Sequence, residues 1–489
     1  MILAATLGHS LARAGLVLDA LAAAAALCTL GRARRLAMAG ALVLTPVLLA
    51  GALWKSSQLH HLRQHPALAV AGILAALALV AALAAVYRSR PSLLAVGAVI
   101  ALPFRFTLLS GGTGGVLLLL YVVIGAGGLA LVVWGARGPD EQPAGPLERT
   151  LAAFVVLYAI QALYTPDLAK AAEEVGFFYV PFALLFVLLR GVRWDRRLLE
   201  RCARAVVALA LAFVVVAAVE YASRRLLFHT SLNNNQRFFR VNSVFYDPNI
   251  YGRFLALTMV LIAAAMMWES SRRTILVAAA LLLVLWLGLL GSVSQSSSVA
   301  LLAGLAVIGA ARFSPRASAA VATLVLAAAI VIAIAASGRL HLNLGDTSAA
   351  NNATSGRVSL VNEGITLFGD RPLWGFGSGS FSCEFRRHVP RVTSLACGAP
   401  ATPGVTSDSH TTPITVAAEQ GALGLIAYVA LLLAAIATLA RGGVRGSPVR
   451  VAILAAFVAL VMHTWAYADF LEDPIAWALL AVGSVLARE

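Results

Sequence analysis

Arg272-Arg273-Thr274-Ile275-Leu276-Val277-Ala278-Ala279-Ala280-Leu281-Leu282-Leu283-Val284-Leu285-Trp286-Leu287-Gly288-Leu289-Leu290-Gly291 is the stretch on which the fold turns. From Thr274 to Gly291 it carries no charge, and as a helix it is long enough to cross the hydrocarbon core of a bilayer. A short turn, Ser292-Val293-Ser294-Gln295, leads into a second apolar run over 296–311 that ends at Arg312. Arginines therefore stand at both far ends of a helical hairpin and none at its turn. The positive-inside rule places the arginines in the cytoplasm and the turn outside.

The same pattern extends along the chain in both directions. Apolar runs occupy 9–30, 36–54, 67–87, 92–109, 114–135, 150–165, 174–190, 204–222, 249–268, 274–291, 296–311, 318–337, 415–440, 450–467 and 473–487. They predict an all-α polytopic membrane protein of about 14–15 transmembrane helices. The first run carries Arg13 and Asp19 but has no charged leader, and reads as a retained span rather than a signal peptide. The short loops 110–114, 291–295 and 467–472 are poor in arginine and read as outer loops. Two longer loops, 223–248 and 338–414, fall on the same outer side. The organisation expected is 1–222 as N-terminal spans, 223–337 as central spans with their outer loop 223–248, 338–414 as a long extracytoplasmic loop, and 415–489 as C-terminal spans.

Composition agrees. The 489 residues are 60% hydrophobic and 12% charged, with mean hydropathy +0.87, against about 45–50% and about 25% in a soluble domain. Disorder, a fibrous repeat and an ordinary cytosolic enzyme are excluded. The net charge of +15 would suit a nucleic-acid partner. Its placement does not: the cytoplasmic loops and span ends hold 21 basic against 7 acidic residues, and the rest of the chain 16 against 15. The excess is an orientation signal, and no nucleic-acid partner is expected.

Chemistry is sought among polar residues at membrane depth or in the outer loops. The first outer loop runs Arg240-Val241-Asn242-Ser243-Val244-Phe245-Tyr246-Asp247-Pro248-Asn249 into a span with Arg253 one turn in. Asp247-Pro248-Asn249 is a helix start. The arginines either snorkel in an interfacial segment or face a cavity and bind an anion, for which the guanidinium fork is suited. Arg105, in Pro103-Phe104-Arg105-Phe106, presents the same two readings.

The second outer loop holds Ser355-Gly356-Arg357, an amphipathic helical pattern over 358–368, and Pro372-Leu373-Trp374-Gly375-Phe376-Gly377-Ser378-Gly379. That glycine cluster lacks the Lys-Ser/Thr of a phosphate-binding loop and reads as a tight turn in close approach to a span. Cys383 and Cys397 share this loop, and on an oxidising outer face they are disulfide candidates. The loop closes on Ser407-Asp408-Ser409-His410. Asp408 could orient His410 or cap a helix; His410 could be interfacial or a general base. No spacing argues for a metal site or a cofactor.

These islands, in this order, resemble the O-antigen ligase and O-antigen polymerase superfamily over roughly 235–440. Arg240 to Asn249 is similar to the family's Arg-x-x-x-x-Phe-x-x-Pro-Asn. Ser355-Gly356-Arg357 with Pro372 to Gly377 is similar to its Ser-Gly-Arg … Pro-Leu-x-Gly-x-Gly. His410, followed by Gly421 and Gly424, matches its most specific signature, with Thr411 where the family carries Asn, Ser or Gln. The resemblance implies a metal-independent, inverting glycosyltransferase in the bacterial cytoplasmic (inner) membrane, active on the extracytoplasmic side. Its donor would be an oligosaccharide on undecaprenyl diphosphate, and its acceptor a glycan or a lipid core. Arg240 and Arg357, with Arg253 and Arg105 as further candidates, would hold the donor diphosphate. His410 would act on the acceptor hydroxyl, and Asp247, Asn249 and Asp408 would be supporting residues of the site. A span count above a dozen leans toward polymerase rather than ligase. A lipid-linked glycan transporter is the alternative of another class. It would require two related halves with broken helices, which the sequence does not display.

Overall fold

The computed structural model describes residues 2–53, 64–104, 117–135, 143–228, 239–313, 316, 357–388 and 409–488, leaving aside the side chains of residues 2–9, 52, 53, 357 and 358. Within them the chain is an all-α polytopic membrane protein. Its helices are α1 Ile2–Cys28, α2 Gly31–Leu53, α3 Pro66–Ser89, α4 Ser92–Ala101, α5 Leu118–Trp134, α6 Pro146–Gln161, α7 Leu168–Arg190 and α8 Arg196–Ser223. They continue as α9 Pro248–Met267, α10 Arg272–Ser292, α11 Gln295–Arg312, α12 Arg357–Asp370, α13 Phe381–His388, α14 Thr412–Ala440, α15 Pro448–Trp465 and α16 Pro474–Leu486. Among the described residues ten helices are long and apolar enough to cross a membrane, and α4, α5 and α16 are shorter apolar helices.

Fourteen of the fifteen expected spans coincide with a helix; the other, 318–337, lies outside the described residues. Several boundaries move; the run over 204–222, for example, begins at Arg196, after the Asp195 cap. In the described part of the run over 92–109 the helix ends at Ala101: Leu102 keeps helical angles and donates to the Ala98 carbonyl, but Pro103 has no N–H with which to continue the ladder. The run over 174–190 begins earlier, at Leu168, where Asp167 caps the helix by accepting from the Lys170 N–H at 3.0 Å. The amphipathic pattern expected over 358–368 is α12.

Local chemistry sets most starts. Asp195, Asp247, Ser294 and Asp473 each accept a backbone N–H at the first turn of α8, α9, α11 and α16, and prolines open α9, α14, α15 and α16. One irregularity lies inside a span. Residues Val175–Tyr179 of α7 form a π-helical turn, and Pro181 follows. Its ring and missing N–H prevent a normal bond to the Phe177 carbonyl. The Tyr121 hydroxyl donates to that carbonyl instead, at 2.7 Å.

Burial separates core helices from lipid-facing ones. The apolar windows of α7 and α9 are 83% and 78% buried, whereas that of α3 is 6% buried and exposes Leu68, Ile73, Leu74 and Leu77. In a bilayer those side chains meet acyl chains, so their exposure carries no penalty. Helix α9 packs on α10, α11 and α15, and α7 on α1 and α16. Helix α14 packs along α6 and receives α12 on its surface. The loops and helix ends that gather around α7, α9 and α14 at one end of this bundle hold the polar residues of interest.

Candidate functional site

The first island is pinned before α9 begins. Asp247 caps α9 at 2.6 Å through the Asn249 N–H, which turns the Asn249 side chain toward the α10–α11 turn. Arg240 Nε donates to the Ser292 carbonyl at 2.8 Å, and its Nη2 donates to Asn249 Oδ1 at 3.0 Å. Both acceptors are neutral oxygens, and these bonds orient the guanidinium. Buried Glu220, at the end of α8, accepts the N–H groups of Asn242 and Ser243 at 3.2 and 2.8 Å and fixes the loop from the other side.

From Asn249 a polar chain crosses the bundle. Asn249 Oδ1 also accepts from the Ser294 hydroxyl at 3.0 Å; Ser294 and Ser296 hydroxyls lie 3.2 Å apart; Ser296 Oγ is 3.2 Å from His463 Nε2. His463 is fully buried in the last turn of α15. Its ring meets Tyr467 edge-on at 5.6 Å, and Tyr467 stacks on His410 at 5.4 Å and 25°. Arg240 of the first island and His410 of the third are thus joined through Asn249, Ser294, Ser296, His463 and Tyr467. Buried hydrogen bonds of this kind restrict each member to few rotamers.

His410 sits in the left-handed region, φ 54°. A clamp around it holds the turn: Ser409 Oγ donates to the Thr411 carbonyl at 2.8 Å and accepts the Thr411 N–H at 3.2 Å, and it lies 2.9 Å from Thr415 Oγ1. Thr411 is the N-cap of α14, without a side-chain cap bond.

Below His410, α14 is broken. Gly421 has φ 65° and ψ −162°, a conformation essentially confined to glycine. The helical bonds lost there are exchanged with the 372–377 turn. Ala422 N donates to the Pro372 carbonyl at 2.7 Å, while Phe376 N and Gly377 N donate to the Ala418 and Glu419 carbonyls at 3.2 and 2.8 Å. The Tyr164 hydroxyl donates to the Trp374 carbonyl at 2.6 Å; burial raises that phenol above its ordinary value, so it remains a donor. A Cβ on Gly375 would strike the Glu419 carbonyl. The glycine cluster is therefore the tight turn in close approach to a span that the sequence suggested. Glu419 itself is buried and accepts the N–H groups of Gly379 and Phe381, both at 2.9 Å.

A cavity with about 60 Å³ of water-accessible space opens beside this break, between α6, α7, α14 and the 468–472 loop. Its polar lining includes Lys170, Glu174, Gln420, Asp469 and Glu472, among tyrosine and phenylalanine rings. Glu174 is hydrogen-bonded to Tyr158 and pairs with Lys170 at 3.3 Å.

Of the expected site residues, the structure brings together Arg240, Asp247, Asn249 and His410. Arg253 lies in the same region, but its charge is matched. It is 1% exposed, and its Nε is 2.9 Å from Asp473 Oδ2. Arg357 opens α12, its side chain outside the description; Arg105, Asp408 and Cys397 lie outside the described residues. Cys383 is disulfide-bonded, and Cys28 and Cys202 are free. Among the described residues no group of three His, Cys, Asp or Glu could hold a metal ion. Sequence reasoning missed Glu220, His463, Tyr467 and Asp469. A histidine within an apolar run was the available signal for His463.

A search of curated proteins returns no match. Residues 280–429, from mid-α10 through His410 and the Gly421 break, match the family model described as O-Antigen ligase, and this supports membership of the O-antigen ligase and polymerase superfamily.

Proposed function

We propose that the protein transfers an oligosaccharide from undecaprenyl diphosphate to an acceptor hydroxyl at the outer face of the bacterial cytoplasmic membrane, without a metal. The observation that carries this reading is the continuous polar and aromatic connection between Arg240 and His410, which sets a diphosphate-type group and a base-type group at one end of the bundle. The superfamily match adds a glycosyltransferase-like role in O-antigen assembly. The acceptor oxygen attacks the anomeric carbon from the face opposite the diphosphate, which inverts that centre. The glycosidic C–O bond breaks and its electron pair leaves on the diphosphate. The hydroxyl proton passes to the His410 imidazole. Arg240 and Arg357 neutralise the charge growing on the leaving group; for Arg240 this contribution is available because its donors are fixed beforehand. Arg253, buried against Asp473, holds α9 to the start of α16 rather than contacting the donor.

The acceptor in this proposal is a second lipid-linked glycan, so the enzyme is a polymerase; attachment to a lipid core would make it a ligase. The test is incubation of the purified protein in lipid vesicles with lipid-linked glycan alone. A ladder of products is expected. His410→Ala should abolish it, a loss of about 10²-fold or more for a general base, while the variant elutes and melts as the parent does. A ladder undiminished in that variant overturns the mechanism. Product only after addition of a distinct lipid-core acceptor reassigns the enzyme as a ligase.

A further inference from the structure

We infer that the cavity beside the α14 break is a subsite for a hydroxyl-rich sugar without a carboxylate, the acceptor end of the transfer. The identity of this sugar as acceptor rests on the reading above; its binding does not.

Two observations single the cavity out. Gln420 is 1% exposed and its Oε1 has no hydrogen-bond partner among the described residues, although it lines the cavity. A buried amide oxygen left in that state costs free energy unless a ligand or water satisfies it. Asp469 also lines the cavity, half-buried, and makes no hydrogen bond or ion pair among the described residues. Its backbone has φ 73°, one of five non-glycine residues with positive φ among the described residues, as His410 is another. Strained backbone of this kind persists where surrounding structure holds it, often at functional sites.

The lining fits a sugar and opposes a phosphate. About 60 Å³ of water-accessible space corresponds to roughly four to six water molecules, the scale of one pyranose ring. The walls combine aromatic faces, Tyr158, Tyr179 and Phe470, with a few convergent acceptors, the usual make-up of a small-molecule pocket. Glu174, Asp469 and Glu472 against Lys170 give an excess of negative charge, which repels a diphosphate or a uronic acid and accepts hydrogen bonds from hydroxyl or ammonium groups. Arg253 reaches the same loop. Arg253 Nη1 contacts the Ala468 carbonyl, and Ala468 lines the cavity. Tyr467, which stacks on His410, precedes Ala468, and Thr412, two residues after His410, is also in the wall. His410 therefore stands between the Arg240 side and an acid-lined cavity, where a base must stand between donor and acceptor.

The experiment is saturation-transfer NMR on the full protein in nanodiscs, with the methyl glycosides of a hexose, a 6-deoxyhexose, a hexosamine and a hexuronate as probes. At least one of the first three should give a protein-dependent signal, with the hexuronate at least about fivefold weaker, as expected for one uncompensated like charge in a half-buried site. Asp469→Asn with Gln420→Ala should remove the signal. Glu472→Gln should narrow the difference between hexuronate and hexose. His410→Ala should keep the binding. Absence of signal from every probe, equal binding of the hexuronate, or full binding in the Asp469/Gln420 variant, with its melting unchanged, overturns the proposal. Because His410→Ala removes transfer and not binding, a failed mechanism and a failed subsite give different results.

Discussion

At the scale of single residues, the decisive observation is that one of the candidate arginines, Arg253, is a member of a buried ion pair. Arg240 is held by a carbonyl and an amide oxygen, whereas Arg253 faces the Asp473 carboxylate at 1% exposure. Removing one partner of a buried pair leaves an uncompensated charge, which costs about 3–5 kcal/mol. Asp473→Asn keeps the α16 cap, since asparagine caps as well as aspartate, and so isolates the charge. This variant should melt markedly lower in detergent. Adding Arg253→Met should recover most of the loss and leave the donor KM unchanged. A donor KM that rises in the double variant would instead place Arg253 on the diphosphate. The sequence listed both arginines together because spacing cannot show pairing: Asp473 lies more than two hundred residues from Arg253. Glu220 and Tyr467 were illegible for the same reason, each acquiring meaning only from what the fold sets against it.

At the scale of elements, the site depends on one helix being broken and on a loop that replaces its lost bonds. Gly421 adopts a backbone that only glycine occupies freely, and an added Cβ would meet the Leu373 carbonyl. Gly421→Ala should therefore destabilise the protein by about 1–3 kcal/mol or more, read as a lower melting temperature together with loss of transfer. Gly369→Ala is the control. It lies in α12 with nothing within 4 Å of the added Cβ, and helix propensity predicts unchanged or slightly raised stability. Equal melting of the two variants would show that the break is not required. This part was half legible. The glycine cluster over 375–379 read as a close-approach turn, and Gly421 and Gly424 stood out by spacing from His410. That the turn and the break exchange backbone bonds was not legible, because main-chain pairing between distant segments leaves no mark on residue type. The spans themselves were legible because hydropathy is additive along the chain. Boundaries failed where one residue decides them, at Pro103 and at the Asp167 cap.

At the scale of the whole molecule, the argument rests on orientation. The arginine-rich connections Arg32 to Arg35, Arg190 to Arg197, Arg272-Arg273 and Arg441 to Arg450 lie at the end of the bundle opposite the site. Arg190 and Arg488 both pair with Glu148, at 3.1 Å each, at that same end. Juxtamembrane arginines stay in the cytoplasm during insertion, and the proposed function accordingly has the cavity, His410 and the 372–377 turn open outward. A membrane-impermeant thiol reagent tests this directly, in a background with Cys28→Ser and Cys202→Ser. Trp374, exposed on the outer turn, should become reactive in intact cells as Trp374→Cys. Gly446→Cys, in the arginine-rich connection after α14 where an added Cβ meets nothing within 4 Å, should react only after the membrane is opened. The reverse pattern would put the site in the cytoplasm, where an O-antigen-type donor presented outside could not reach it, and the proposed transfer would fall with it.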